Sequence, residues 1–134
     1  MKKITTLLTF SILLLSITIL FTNCKKDKED PVVPAFSITA TTVMLQGGGD
    51  GLQFKAKCTN TNVEMTEVQI VDPLQSPVNT YNLNGANFVK NVIFDLQGAD
   101  EAYYKQTGTW SFTFIGNRTS DGSSFSISTT LAVQ

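Results

Sequence analysis

An all-β fold is predicted for this chain, a single antiparallel sandwich of about seven strands, and three observations carry the prediction. From Phe36 onward the apolar residues recur with a period of two rather than 3.6. Turn-forming clusters interrupt that alternation at short intervals of roughly 8 to 15 residues. No window carries an apolar stripe at helical spacing.

Taken in order, the first strand is Phe36 to Leu45, ended by Gln46-Gly47-Gly48-Gly49-Asp50-Gly51, which no regular element crosses. Leu52, Phe54, Ala56 and Cys58 then alternate with Gln53, Lys55, Lys57 and Thr59, the pattern of a half-buried strand. Thr59-Asn60-Thr61-Asn62 turns the chain into a third strand over Glu64 to Val71, with Val68 and Ile70 inward. Asp72-Pro73 closes it, and Ser76-Pro77 opens a short strand from Val78 to Leu83. Asn84-Gly85 is expected to be a tight turn, followed by a strand from Phe88 to Leu96 with Val92, Phe94 and Leu96 on one face. The last hairpin gives the strongest signal. Trp110, Phe112 and Phe114 alternate with Ser111, Thr113 and Ile115, Asp121-Gly122 lies in the turn, and Phe125, Ile127, Thr129, Leu131 and Val133 return. Three aromatic rings in step centre the expected core.

Ahead of this domain the composition changes. Lys2 and Lys3 precede an apolar run from Ile4 to Phe21, and Thr22-Asn23-Cys24 leads into Lys25-Lys26-Asp27-Lys28-Glu29-Asp30. A basic start, an apolar middle and a cut site make an export signal, which is removed and takes no part in the fold. The cysteine at the cut site resembles the lipobox of bacterial lipoproteins, with Phe21, Thr22 and Asn23 standing where that motif has a Leu-like residue and small residues. The resemblance implies that Cys24 is acylated and becomes the mature N-terminus. Several acyl chains on one cysteine anchor stably, because each buried methylene contributes about 0.8 kcal/mol. Two other readings stay open: a retained transmembrane anchor over the 18-residue run, several of whose residues are Thr or Ser, or a secreted chain in which Cys24 is incidental. The basic and acidic residues that follow Cys24 are also similar to the surface-export signal of Bacteroidota lipoproteins, or are only a solvated tether.

The expected organisation is therefore a signal peptide over 1–23, a lipidated Cys24 with a disordered charged and proline-containing tether over 24–35, and the sandwich over 36–134. Fully extended at about 3.1 Å per residue, the tether spans roughly 30 Å. About 100 residues suffice for one core. From Ala35 onward five basic residues stand against eight acidic ones, a net charge of −3. That balance argues against nucleic acid, which calls for a clustered basic face. With Cys24 lipidated, Cys58 is alone and in step with Leu52, Phe54 and Ala56, which reads as a buried structural thiol.

Leu96 to Tyr104 resembles the corner before the F strand of immunoglobulin-like domains, where a tyrosine hydroxyl bonds back to the chain. The resemblance implies an immunoglobulin-like or fibronectin type III-like sandwich. The paired cysteines and core tryptophan of antibody domains are missing. Gly108-Thr109-Trp110 is similar to the Gly-x-Trp of lipocalins, which leaves an eight-stranded barrel as the alternative fold.

The sequence has no histidine, so Ser-His and Cys-His nucleophiles and histidine metal sites are excluded. Asp50, Asp72, Asp95, Asp100 and Glu101 all fall at predicted loop ends, where carboxylates serve solubility and capping as readily as catalysis. The reading is a non-enzyme, with no catalytic residue, cofactor or metal assigned. A loop calcium site built from Asp50, Asp95, Asp100 or Glu101 is conceivable on donor type alone. Gly47 to Gly51 lacks the Lys-Ser/Thr ending and following helix of a phosphate loop. What remains is a surface. If strands alternate up and down, the loops at 60–62, 82–87 and 117–123 share the tether's end. Those at 47–51, 72–77 and 98–105 then lie at the other. Tyr103, Tyr104 and Lys105 at that far end are the candidate contacts for a glycan or protein partner, since tyrosine offers a large amphipathic face at low entropic cost. The competing reading has one tyrosine pinning the corner and the other packed on the sheet. The function expected is that of an outer-membrane lipoprotein of the cell envelope, facing the surface or the periplasm, that binds or adheres. The alternative is a structural subunit pairing with another envelope protein through an edge strand, for which the uncharged run Phe36 to Leu45 is suited.

Overall fold

The computed structural model describes residues 30–75, 77–98 and 101–134. The signal peptide, Cys24 and the first part of the tether lie outside the described residues, as do Ser76, Ala99 and Asp100. The chain divides into two units, Met1–Pro31 and Val32–Gln134, and the strands among the described residues all belong to the second.

Eight strands form, and no helix occurs among the described residues: β1 (Phe36–Met44), β2 (Asp50–Cys58), β3 (Val63–Val71), β4 (Asn79–Phe88), β5 (Phe94–Asp95), β6 (Tyr103–Tyr104), β7 (Gly108–Arg118) and β8 (Ser124–Val133). They make two antiparallel sheets. One runs β1-β2-β5, with β6 also on β2; the other runs β4-β3-β7-β8. The apolar faces meet, and the core is drawn from both: Leu52, Phe54, Ala56 and Cys58 from β2, and Val63, Met65, Val68, Ile70, Trp110, Phe112 and Phe114 from β3 and β7. Phe54 sits at the centre, its ring 4.9 Å from Trp110 and 5.0 Å from Phe112. Trp110 satisfies its indole N–H by donating to the Gln106 carbonyl at 3.0 Å.

One bulge reconciles the period of two with the burial seen in β3. Val63 and Met65 point inward at odd positions, whereas Val68 and Ile70 point inward at even ones. Pairing with β7 slips between Met65 and Glu67, leaving Thr66 as an extra residue whose hydroxyl donates to the Ile115 carbonyl. A one-residue insertion moves every later side chain to the opposite face, so both halves of β3 reach the core. Opposite the bulge, a Cβ on Gly116 would collide with the Glu64 carbonyl and the Met65 Cα, so glycine is required there.

Two sequence expectations are corrected. Asn84-Gly85 is not a hairpin turn: both residues have positive φ (52° and 73°), but they form a second bulge inside β4, which continues to Phe88. The local tendency to left-handed backbone is real, yet pairing with β3 on either side keeps the strand going. The expected strand from Phe88 to Leu96 also fails to form. Val89 to Ile93 is a loop, Val92 and Ile93 are exposed, and only Phe94 and Asp95 pair with β2. It is this loop, rather than 82–87, that joins the 60–62 and 117–123 turns at one end. The N–H of Lys90 donates to Asn62 Oδ1, and that of Asn91 to the Cys58 carbonyl.

The chain's lead-in is fixed at the same end. Asn60 Nδ2 donates to the Val33 carbonyl at 2.6 Å, and Asn60 Oδ1 accepts from the Ala35 N–H at 3.0 Å. Arg118, 8% exposed, donates to the Val32 carbonyl while gripping Asp121 through two hydrogen bonds. The Asp121 carboxyl is held below the usual range chiefly by the Ser123 N–H; lost solvation opposes this, and the Ser123 hydroxyl and the Arg118 guanidinium add to the lowering.

Candidate functional site

The far end of the domain is built where β2 starts and β6 pairs with it, Gly51 opposite Tyr104 and Leu52 opposite Tyr103. Successive residues of a strand face opposite ways, so only one of the two tyrosines can enter the core. Tyr103 does. Its ring lies 6.0 Å from Phe54 and 5.4 Å edge-on from Trp110. Its hydroxyl meets that of Tyr81 on β4 at 2.6 Å, a bond that ties the two sheets together. Burial, then the Tyr81 hydroxyl and then the Glu101 carboxylate push the Tyr103 pKa far above the ordinary tyrosine value, so the phenol stays neutral. The corner expected from the immunoglobulin resemblance is thereby corrected: the hydroxyl bonds across the sandwich to a side chain, not back to the neighbouring backbone.

Tyr104 faces out, 72% exposed. It stands between two open clefts. One, of about 540 Å³, is bordered by Leu45, Gln46, Gln97, Glu101 and Tyr103 as well. The other, of about 670 Å³, is bordered by Gly49, Asp50, Lys105 and Thr107. Lys105 is fixed at its backbone, where its N–H donates to the Asp50 carbonyl at 2.9 Å. Leu45 crosses above Gly51, where a Cβ would lie 2.6 Å from the leucine side chain; this close approach walls the first cleft. Met44, Leu74 and Val78 are further exposed apolar residues, and Leu74 and Val78 border a third cleft together with Thr107 and Gly108. The structure thus brings together Tyr104, Lys105, Glu101 and Gln46, and packs the half-buried Tyr103 ring against the core at the edge of the first cleft.

Sequence reasoning missed Gln97. Its side chain takes the place of a strand in the gap between β5 and β6. Gln97 Oε1 accepts from the Phe54 N–H at 3.0 Å, and Nε2 donates to the Leu52 and Glu101 carbonyls, each at 3.1 Å. The Leu96 N–H completes the run by donating to the Phe54 carbonyl. A lone glutamine after an apolar residue carries no periodic signal, so nothing in the sequence singles it out. Tyr81, the partner of Tyr103, was likewise legible only as one residue of a strand.

The acidic residues do not converge. Asp95 pairs with Lys55 at 3.3 Å, at the level of the middle of β2, whereas Asp50 begins that strand and Asp100 is outside the described residues. No group of three or more His, Cys, Asp or Glu side chains is gathered among the described residues in a way that could hold a metal ion. Cys58 is buried and free, its thiol 3.6 Å from Asn60 Oδ1. No helix among the described residues is long and apolar enough to cross a membrane. Protein-family models, curated proteins and solved structures give no match to this chain.

Proposed function

We propose that the chain is a cell-envelope lipoprotein, anchored in the outer membrane through acylated Cys24, whose domain is a non-catalytic binding or adhesion module for a glycan or protein partner. The observation that carries the proposal is Tyr104, a mostly exposed aromatic ring set between two clefts at the end of the domain opposite Val32. An aromatic face flanked by Lys105, Glu101 and Gln46 combines stacking area with donors and acceptors for hydroxyl groups. The export signal and the lipobox-like Thr22-Asn23-Cys24 support the anchor. The strand order β4-β3-β7-β8 opposite β1-β2-β5 supports an immunoglobulin-like or fibronectin type III-like assignment, with β7 in the place of the F strand. The test is a glycan array, followed by affinity measurement of the strongest hit with the parent chain and with Tyr104→Ala. The substitution is expected to weaken binding roughly tenfold or more, the behaviour of an aromatic anchor. Unchanged affinity would dispose of Tyr104 as the contact.

A second reading, a structural subunit pairing with another envelope protein through an edge strand, is favoured by β1. That strand lies at a sheet edge, carries no charged side chain over its nine residues and is exposed from Thr39 to Thr42. Tyr104→Ala separates the two readings, because edge pairing survives it.

A further inference from the structure

We infer that the Val32 end of the domain rests on the lipid surface, through an apolar patch of Val32, Val33, Val89, Val92 and Ile93 around the Asn60–Asn62 turn. This rests on the lipoprotein reading and adds a second, non-covalent contact with the membrane. All five side chains are aliphatic and more than half exposed, at 52%, 64%, 57%, 55% and 62% respectively. They come from two segments held on either side of one turn. Asn60 binds the Val33 carbonyl and the Ala35 N–H, while Asn62 Oδ1 and the Cys58 carbonyl accept from Lys90 and Asn91 in the 89–93 loop. The loop is further closed on itself by the Val92 N–H donating to the Val89 carbonyl. The patch is therefore presented on a tied backbone.

Chain length selects the membrane as its occupant. Eight residue steps separate Cys24 from Val32, a reach of at most about 28 Å even when fully drawn out. The domain's opposite end lies a further nine-residue strand away, about 30 Å at strand rise. Acylation of Cys24 thus holds the Val32 end within touching range of the bilayer whatever the tilt of the domain, whereas the Tyr104 end reaches it only when the domain lies over. Aliphatic side chains suit the boundary between headgroups and acyl chains, and Lys90 in the same loop suits anionic headgroups.

The experiment uses the full chain in proteoliposomes of phosphatidylethanolamine and phosphatidylglycerol. A polarity-sensitive fluorophore is attached at Ile93→Cys or, in a separate chain, at Tyr104→Cys; the buried Cys58 is left unlabelled. Quenchers are carried on the lipid tails. The Ile93 probe is expected to shift to the blue and to lose emission to the quenchers, whereas the Tyr104 probe does neither. Adding Val89→Asp and Val92→Asp should abolish the Ile93 response while circular dichroism shows the fold retained. Equal quenching at both positions in a chain whose Cys24 is acylated by mass spectrometry overturns the inference and leaves the lipoprotein reading standing. A Cys24 without lipid overturns the lipoprotein reading, and the inference falls with it.

Discussion

Tyr103 shows how much one side chain can decide. Adjacent tyrosines in a strand must face opposite ways, so the sequence alone guarantees that one of the pair is outside without saying which. The choice is made by Leu52, which sets the register of β6, and by Tyr81, which offers a hydroxyl from the other sheet. Replacing Tyr103 by Phe keeps the ring between Phe54 and Trp110 and removes only the bond, an expected loss of about 1 kcal/mol in denaturant unfolding at neutral pH. The pH dependence has a definite sign. Folding raises the Tyr103 pKa, so its contribution is whole below the unfolded tyrosine value near 10 and declines as pH climbs beyond it. The melting temperature of the parent should therefore fall steeply above about pH 10, and that of Tyr103→Phe less steeply. Parallel curves for the two proteins would contradict this account.

At the scale of elements, alternation made the long strands legible and left the short ones hidden. β2 from Leu52, β7 from Trp110 and the whole of β8 follow the period of two, and the sequence reading places them within a few residues. β5 and β6 are two residues each, too short to carry a period. The gap between them is filled by a side chain, which no pattern of apolar residues encodes. The bulges were hidden for a related reason: Asn84-Gly85 announces a backbone conformation, and only the neighbouring strand determines whether the conformation becomes a turn or an interruption. Gln97 is the test of this level. Gln97→Leu fills the space but leaves the Phe54 N–H and the Leu52 carbonyl without their partner. Two buried groups at about 1–3 kcal/mol apiece predict a loss of roughly 2–6 kcal/mol in chemical denaturation. A loss below about 1 kcal/mol would mean that water or a shifted neighbour can replace the side chain.

Across the whole molecule, the two-sheet plan was readable, while the candidate contact surface was readable only in outline. Tyr104 and Lys105 lie at the end where strand counting put them, but the wall beside Tyr104 on the Gln46 and Glu101 side depends on Leu45 crossing Gly51, a contact between residues on two sides of a turn. The central pairing is non-local: Val63 lies opposite Arg118, and β3 joins β7 across the intervening β4, β5 and β6. Closing such a loop precedes any gain from the pairing, so refolding after stopped-flow dilution is expected in the millisecond-to-second range. A microsecond phase accounting for the full amplitude would exclude this order of events. The clamp on the chain's lead-in has a mechanical consequence. A pull applied ahead of Val32, with the Tyr104 end held by a partner, runs lengthwise along β1. The whole β1–β2 ladder, from Phe36 opposite Cys58 to Met44 opposite Asp50, is then loaded in shear, all its rungs sharing the force instead of unzipping one by one.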